Sequence, residues 1–198
     1  VDVTGTFVDK ITSEEQITEY IESVYPIASN LETIFINHTM KNADFETKKK
    51  FFYSFWYSRN KTNPEEAWKK YLTELEKVEK EFGTQVKRGY ETDRGRVYLK
   101  YGPPNTRVQQ PSEPDTYPYE IWHYYKIGNR SNVKFVFYNT DLSTNDYQLL
   151  HSNLFGEISD YKWRMRLKSR NNPDTNVDQS NPMDSWGGRS EDYFNNPR

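Results

Sequence analysis

Hydrophobic and polar positions follow a helical period in the first half of the chain and a period of two in much of the second. Ile17, Tyr20, Ile21 and Val24 recur at helical spacing behind Thr12-Ser13-Glu14-Glu15-Gln16. Ser13 suits an N-cap, the two acids favour the positive helix end, and Gln16 takes the capping-box position. Pro26 interrupts the pattern, and Ile27, Leu31, Ile34 and Phe35 resume it as a second apolar stripe ending near Asn37-His38. A third helix is predicted over 42–59, with Phe45, Phe52, Phe55 and Trp56 on one side and Lys48, Lys49 and Lys50 crowding the other. Asn63-Pro64-Glu65-Glu66 starts a fourth: a capping Asn, Pro at the first helical position, then acids. Trp68, Tyr71, Leu72, Leu75, Val78 and Phe82 form its stripe, which Gly83 ends.

The stretch from Gly89 to Pro104 is the pivot between the two patterns. After Asp93-Arg94 it alternates, Val97, Leu99 and Tyr101 against Arg96, Tyr98 and Lys100, which predicts a strand stopped by Gly102-Pro103-Pro104. Strands are also predicted over 119–125, 133–138 and 147–151, the first two forming a hairpin whose loop, 126–132, has Gly128-Asn129 at its tip. A last helix over 157–168 would carry Ile158, Tyr161, Trp163 and Met165. Residues 169–198 are rich in Asn, Asp, Pro, Ser and Gly, a composition that cannot bury enough apolar surface to fold alone. Trp186, Tyr193 and Phe194 are the rings that would strap this extended tail onto the core.

The predicted fold class is α+β: an N-terminal helical half packed on a small antiparallel sheet of about four strands, then a helix and the tail. The boundaries read from the sequence are an N-terminal helical extension over 1–40, a core over 41–168 and the tail over 169–198. Aromatic residues make up 16% of the 198, so the core is expected to be built largely of rings. A net charge of −2 supplies no field to recruit nucleic acid or anionic lipid over the whole surface. Cysteine is absent, which removes disulfides, thiolate metal sites and cysteine nucleophiles together. No apolar run reaches membrane-spanning length, and the opening Val1-Asp2-Val3 points to a processed or trimmed chain.

Three features together carry a resemblance. Phe55-Trp56-Tyr57-Ser58-Arg59 precedes the long helix ending in Phe82; Gly89-Tyr90-Glu91-Thr92-Asp93-Arg94-Gly95-Arg96-Val97-Tyr98 is followed by Tyr101-Gly102-Pro103-Pro104; Tyr119-Glu120-Ile121-Trp122 comes next. With the closing Asn195-Asn196-Pro197-Arg198, this resembles the GWxTD domain family over about residues 40 to 198. Tyr90 stands where the family has Trp, a ring of similar packing use with a polar group of its own. The resemblance implies an exported bacterial protein, mainly of Bacteroidota, with a periplasmic or outer-envelope address. It implies no reaction.

The candidate ligand-binding or structural-pivot residues are Tyr90, Asp93, Arg94, Arg96, Tyr98, Tyr101, Glu120 and Trp122, with Lys100 and Arg107 adding positive charge. In one reading the cations receive an anionic sugar, a peptide carboxylate or a phosphate. In the other, Arg94 or Arg96 pairs with Glu91, Asp93 or Glu120 and locks helix to sheet. The same three carboxylates are the candidates for glycoside hydrolysis, which depends on a separation no sequence shows. His123 and His151 lie on predicted strands and are possible neighbours, yet no metal-ligand spacing accompanies them. Asn139, Asp141, Ser143 and Asn145 imitate a calcium loop without its Gly and Glu, and Asx turns account for the same letters. The expectation is therefore no catalytic residue, metal or cofactor. It is a non-enzymatic interaction or scaffold module of the envelope, with another envelope protein or polymer as partner and no nucleic acid. The alternative is a carbohydrate- or peptide-binding protein or a hydrolase acting on envelope polymers.

Overall fold

The computed structural model describes residues 3–168 and 188–196. Its class is α+β: among the described residues, helices dominate the first half and one four-stranded antiparallel sheet the second. The chain divides into two compact units, Val1–Glu81 and Phe82–Arg198. That division lies at neither of the steps, 40/41 and 168/169, suggested by the sequence pattern.

In the first unit, helix α1 spans Glu14–Ser23, α2 Asn30–His38 and α3 Phe45–Arg59; α4, Pro64–Phe82, ends in the first residue of the second unit. Two of the caps, Ser13 and Asn63, are those the sequence pattern predicts, and Ser29 is a further one. Ser13 accepts from the Gln16 N–H, Asn63 from the Glu66 N–H at 3.1 Å, and Ser29 forms a complete capping box with Glu32. The core is aromatic: Phe52 stacks on Tyr20, meets Trp68 edge-on at 4.9 Å, and adjoins Trp56, which packs on Tyr71 at 5.3 Å. Such pairs add about 0.5–1.5 kcal/mol each beyond the area they bury. Two faces differ from expectation. Lys48 and Lys49 are buried, because Glu14 lies 2.9 Å from one ammonium while Asp9 and Glu46 flank the other. The stripe of α2 is inverted: Ile36 is buried, whereas Leu31, Ile34 and Phe35 face solvent.

In the second unit the predicted strand over 96–101 is instead a helix, α5, Asp93–Tyr101. Thr92 caps it through its hydroxyl, which accepts from the Gly95 N–H. Gly102 ends it at φ +83°, a left-handed conformation that glycine adopts without a Cβ penalty. The first strand comes later: β1, Thr106–Gln110, precedes β2, Tyr119–Ile127, β3, Arg130–Tyr138, and β4, Gln148–Ser152. The strands lie in sequence order, and the β2–β3 hairpin closes on Gly128-Asn129 alone, so both strands run further than predicted. A bulge at Val136/Phe137 shifts the register of β4.

Alternation along β2 gives the sheet two buried faces. Glu120, Trp122 and Tyr124 share one with Phe135 and Phe137, and Tyr101 of α5 packs there on Phe135 at 5.6 Å. Tyr119 and Ile121 share the other with Val136, and against them lie Trp163 and Leu167 of the short helix α6, Trp163–Leu167. The longer helix predicted over 157–168 does not form, since Glu157 is drawn toward α5 and Ile158 and Tyr161 stand in solvent. Tyr193 and Phe194 join this second face from a short helix, α7, Ser190–Asn195, rather than from an extended strand. Trp186 lies outside the described residues.

Candidate functional site

The pivot residues assemble where α5 starts. Gly89–Glu91 forms a single 3-10 turn whose Gly89 carbonyl accepts both the N–H and the hydroxyl of Thr92, at 3.2 and 2.7 Å. The Glu91 carboxylate reaches back to the Arg88 N–H, Tyr90 is buried, and Asp93 accepts the Leu149 N–H of β4 at 2.7 Å. Gly-Tyr-Glu-Thr-Asp is thus a helix start whose acid also ties the helix to a strand.

From that start, alternate charged side chains leave α5 toward two buried carboxylates. Arg94, 2% exposed, donates to Glu120 at 2.7 Å and to both the backbone and side-chain carbonyls of Asn145. Glu120 also accepts from Arg107 Nε at 2.9 Å and Nη2 at 3.1 Å, Gln109 at 3.2 Å and Trp122 Nε1 at 2.9 Å. Phe82, Trp122 and Tyr147 wall this cluster, with the Arg94 guanidinium 4.2 Å from the Tyr147 ring and Phe82 5.5 Å from Trp122. Burial pushes the Glu120 carboxyl up, but Arg107 and Arg94 outweigh it and hold the group below its ordinary value.

Arg96 does not share this partner. It forms a fork to Glu157, at 3.1 and 2.8 Å, where Lys100 at 2.9 Å and the Tyr101 hydroxyl at 2.6 Å also donate. Burial again opposes ionisation, and again the donors prevail, bringing Glu157 down to about 2. Tyr98 takes part through its ring, 6.1 Å from Phe82.

The structure therefore gathers Arg94, Glu120 and Trp122 in one cluster and Arg96 and Tyr101 in another, with Asp93 at the strand and Tyr90 in the core. Sequence reasoning missed Glu157, and it missed Glu113, whose buried carboxylate accepts from the Tyr119 hydroxyl and the Arg189 N–H that opens α7. The signal for Glu157 was absent because its donors lie 56 to 61 residues earlier in the chain. His123 and His151 are not neighbours: β3 runs between their strands, and His151 stacks on Trp163 instead. Asp141 closes an Asx turn onto Ser143.

A cleft of about 650 Å³ opens beside the Arg94 cluster, between the loop at 83–87 and the turn at 140–148. Lys87 and Asp146 pair across it at 2.6 Å, and Thr84, Gln85, Ser143 and Gln148 contribute hydroxyls and amides.

A helix start, a charged face and two buried carboxylates that accept from several donors apiece define an aromatic-rich α+β module knit by ion pairs. The chain belongs to the GWxTD domain family, matching it over residues 9–165. The match thus begins earlier than residue 40, taking in α1 and α2, and stops short of the tail. No curated protein and no solved structure matches the chain.

Proposed function

We propose that the chain is a non-enzymatic interaction or scaffold module of a bacterial cell-envelope protein. The observation that carries this reading is the outward stripe on α2. Leu31 is 80% exposed, and Ile34 and Phe35 stand beside it at three and four residues' spacing. A capping box holds the helix that presents them, and Phe35 leans on Phe51 of α3 at 5.5 Å. An ordered apolar helix face turned to water is the form in which helix-mediated recognition is usually stored. The address is supported by the exported character that the family resemblance implies.

The carboxylates support the same reading from the other side. A general acid or base must exchange a proton near the working pH and reach its substrate. Glu120 and Glu157 are buried, ionised and surrounded by donors. The cleft at 83–87 and 140–148 favours one other reading, a carbohydrate- or peptide-binding protein, since its volume falls in the range of small-molecule sites.

The test is a photo-crosslinking residue at position 31 of the full-length protein, expressed in its native cell. A discrete adduct in the envelope fraction that disappears with Ile34→Asp is expected. No adduct, or one indifferent to Ile34→Asp, sinks the proposal.

A further inference from the structure

A second surface lies far from α2 in the sequence. The loop from β4 to α6 turns Phe155, Ile158 and Tyr161 into solvent, with Phe155 93% exposed. Nothing about this loop is loose. Leu154 is buried beneath it, the Ser152 N–H donates to the Ile158 carbonyl at 2.7 Å, and Glu157 N–H to the Leu154 carbonyl at 3.2 Å. Gly156, at φ +89°, makes the turn behind Phe155. From inside, Glu157 anchors it through Arg96, Lys100 and Tyr101. A strong buried anchor thus fixes a finger that holds Phe155 and Tyr161 almost wholly in solvent.

The charges around the finger have a sign. Four cations, Arg96, Lys100, Lys162 and Arg166, meet three carboxylates, Asp93, Glu157 and Asp160. Asp93 and Asp160 are already committed to the Leu149 N–H and to Arg166. The balance is positive, and Lys100 keeps 41% of its side chain in solvent.

We propose that this finger inserts Phe155 and Tyr161 into the headgroup region of an anionic lipid bilayer, with the flanking cations against the headgroups. Two of the three exposed side chains, Phe155 and Tyr161, are aromatic, unlike the mainly aliphatic stripe that α2 presents. Aromatic rings above a positive rim suit the interface between headgroups and acyl chains. The inference goes beyond the interaction-module reading. Its test leaves Leu31, Ile34 and Phe35 untouched, so each can fail alone.

The experiment is co-sedimentation of the intact chain with vesicles of phosphatidylglycerol and phosphatidylcholine, compared with pure phosphatidylcholine. Binding at millimolar lipid should rise with the anionic fraction and fall with salt. Phe155→Asp combined with Tyr161→Asp should lower the partition about tenfold or more, from the apolar area withdrawn. Phe155→Trp should keep binding and shift its emission to the blue on anionic vesicles alone. Both positions are exposed, and an unchanged thermal midpoint shows that the variants fold. The proposal is overturned if the intact chain leaves anionic vesicles unbound, if the double variant binds equally, or if the tryptophan emission does not move.

Discussion

Glu120 holds two arginines, a glutamine and an indole N–H on one carboxylate, with 2% of the residue exposed. Glu120→Gln keeps the shape but leaves Arg94 buried without a counter-charge. It should cost about 3–5 kcal/mol, read as a lower urea midpoint at unchanged slope. An unfolding curve superimposable on wild type would refute this. Glu157 adds a dependence on pH. Its folded value lies at about 2 against an ordinary 4.5, so its contribution is complete above 4.5 and lost as pH falls through 2. The shift corresponds to roughly 3 kcal/mol. Wild type should therefore lose stability over that window more steeply than Glu157→Gln, which starts lower at neutral pH. Parallel acid-unfolding curves for the two proteins would show that the fork to Arg96 contributes little.

At the scale of elements, α5 depends on its cap. Thr92→Ala removes the hydroxyl that accepts from Gly95 and donates to Gly89, and should cost about 1–2 kcal/mol; Thr92→Ser should recover most of it. Equal thermal midpoints for the alanine and serine proteins would count against the cap. This helix also shows where the sequence was legible and where it was not. Helices α1, α3 and α4 announced themselves through caps and stripes that are local. In α5, Val97, Leu99 and Tyr101 alternate with Arg96, Tyr98 and Lys100, which satisfies a strand pattern over six residues. The helical period is hidden because Arg94 and Arg96 are turned inward by Glu120 and Glu157, 26 and 61 residues away. The strand β1 escaped notice for the opposite reason: Thr106-Arg-Val-Gln-Gln110 buries one apolar side chain, Val108. That Glu120 would pair with Arg94 or Arg96 was legible, since a carboxylate between Tyr119 and Ile121 on a strand needs a cation; which of the two was not. The exposed stripe of α2 was not, because periodicity gives a face without saying whether it turns inward.

At the scale of the whole molecule, the chain's final described element closes over a face of the sheet. The Glu113 carboxylate meets the N–H of Arg189, the residue before α7, Arg164 pairs with Glu191 at 3.2 Å, and Phe194 packs on Trp163 at 5.0 Å. Truncation after Gly188 should lower the thermal midpoint and raise binding of an apolar dye; an equal midpoint with no added dye binding would make α7 dispensable. The inward charges of α5 carry a consequence of a different kind, in the order of events during synthesis. Arg94 leaves the ribosome before Glu120 and Asn145, and Asp93 and Arg96 before Leu149 and Glu157. These ties of the helix to the sheet and to Glu157 are long-range, so it gains them only after the sheet is threaded, and a high contact order slows such closure. A nascent chain stopped at Ser152 would hold Arg96 and Lys100 with no Glu157 to meet. Proteolysis of stalled chains should thus find α5 open until Glu157 has emerged, and protected abruptly thereafter.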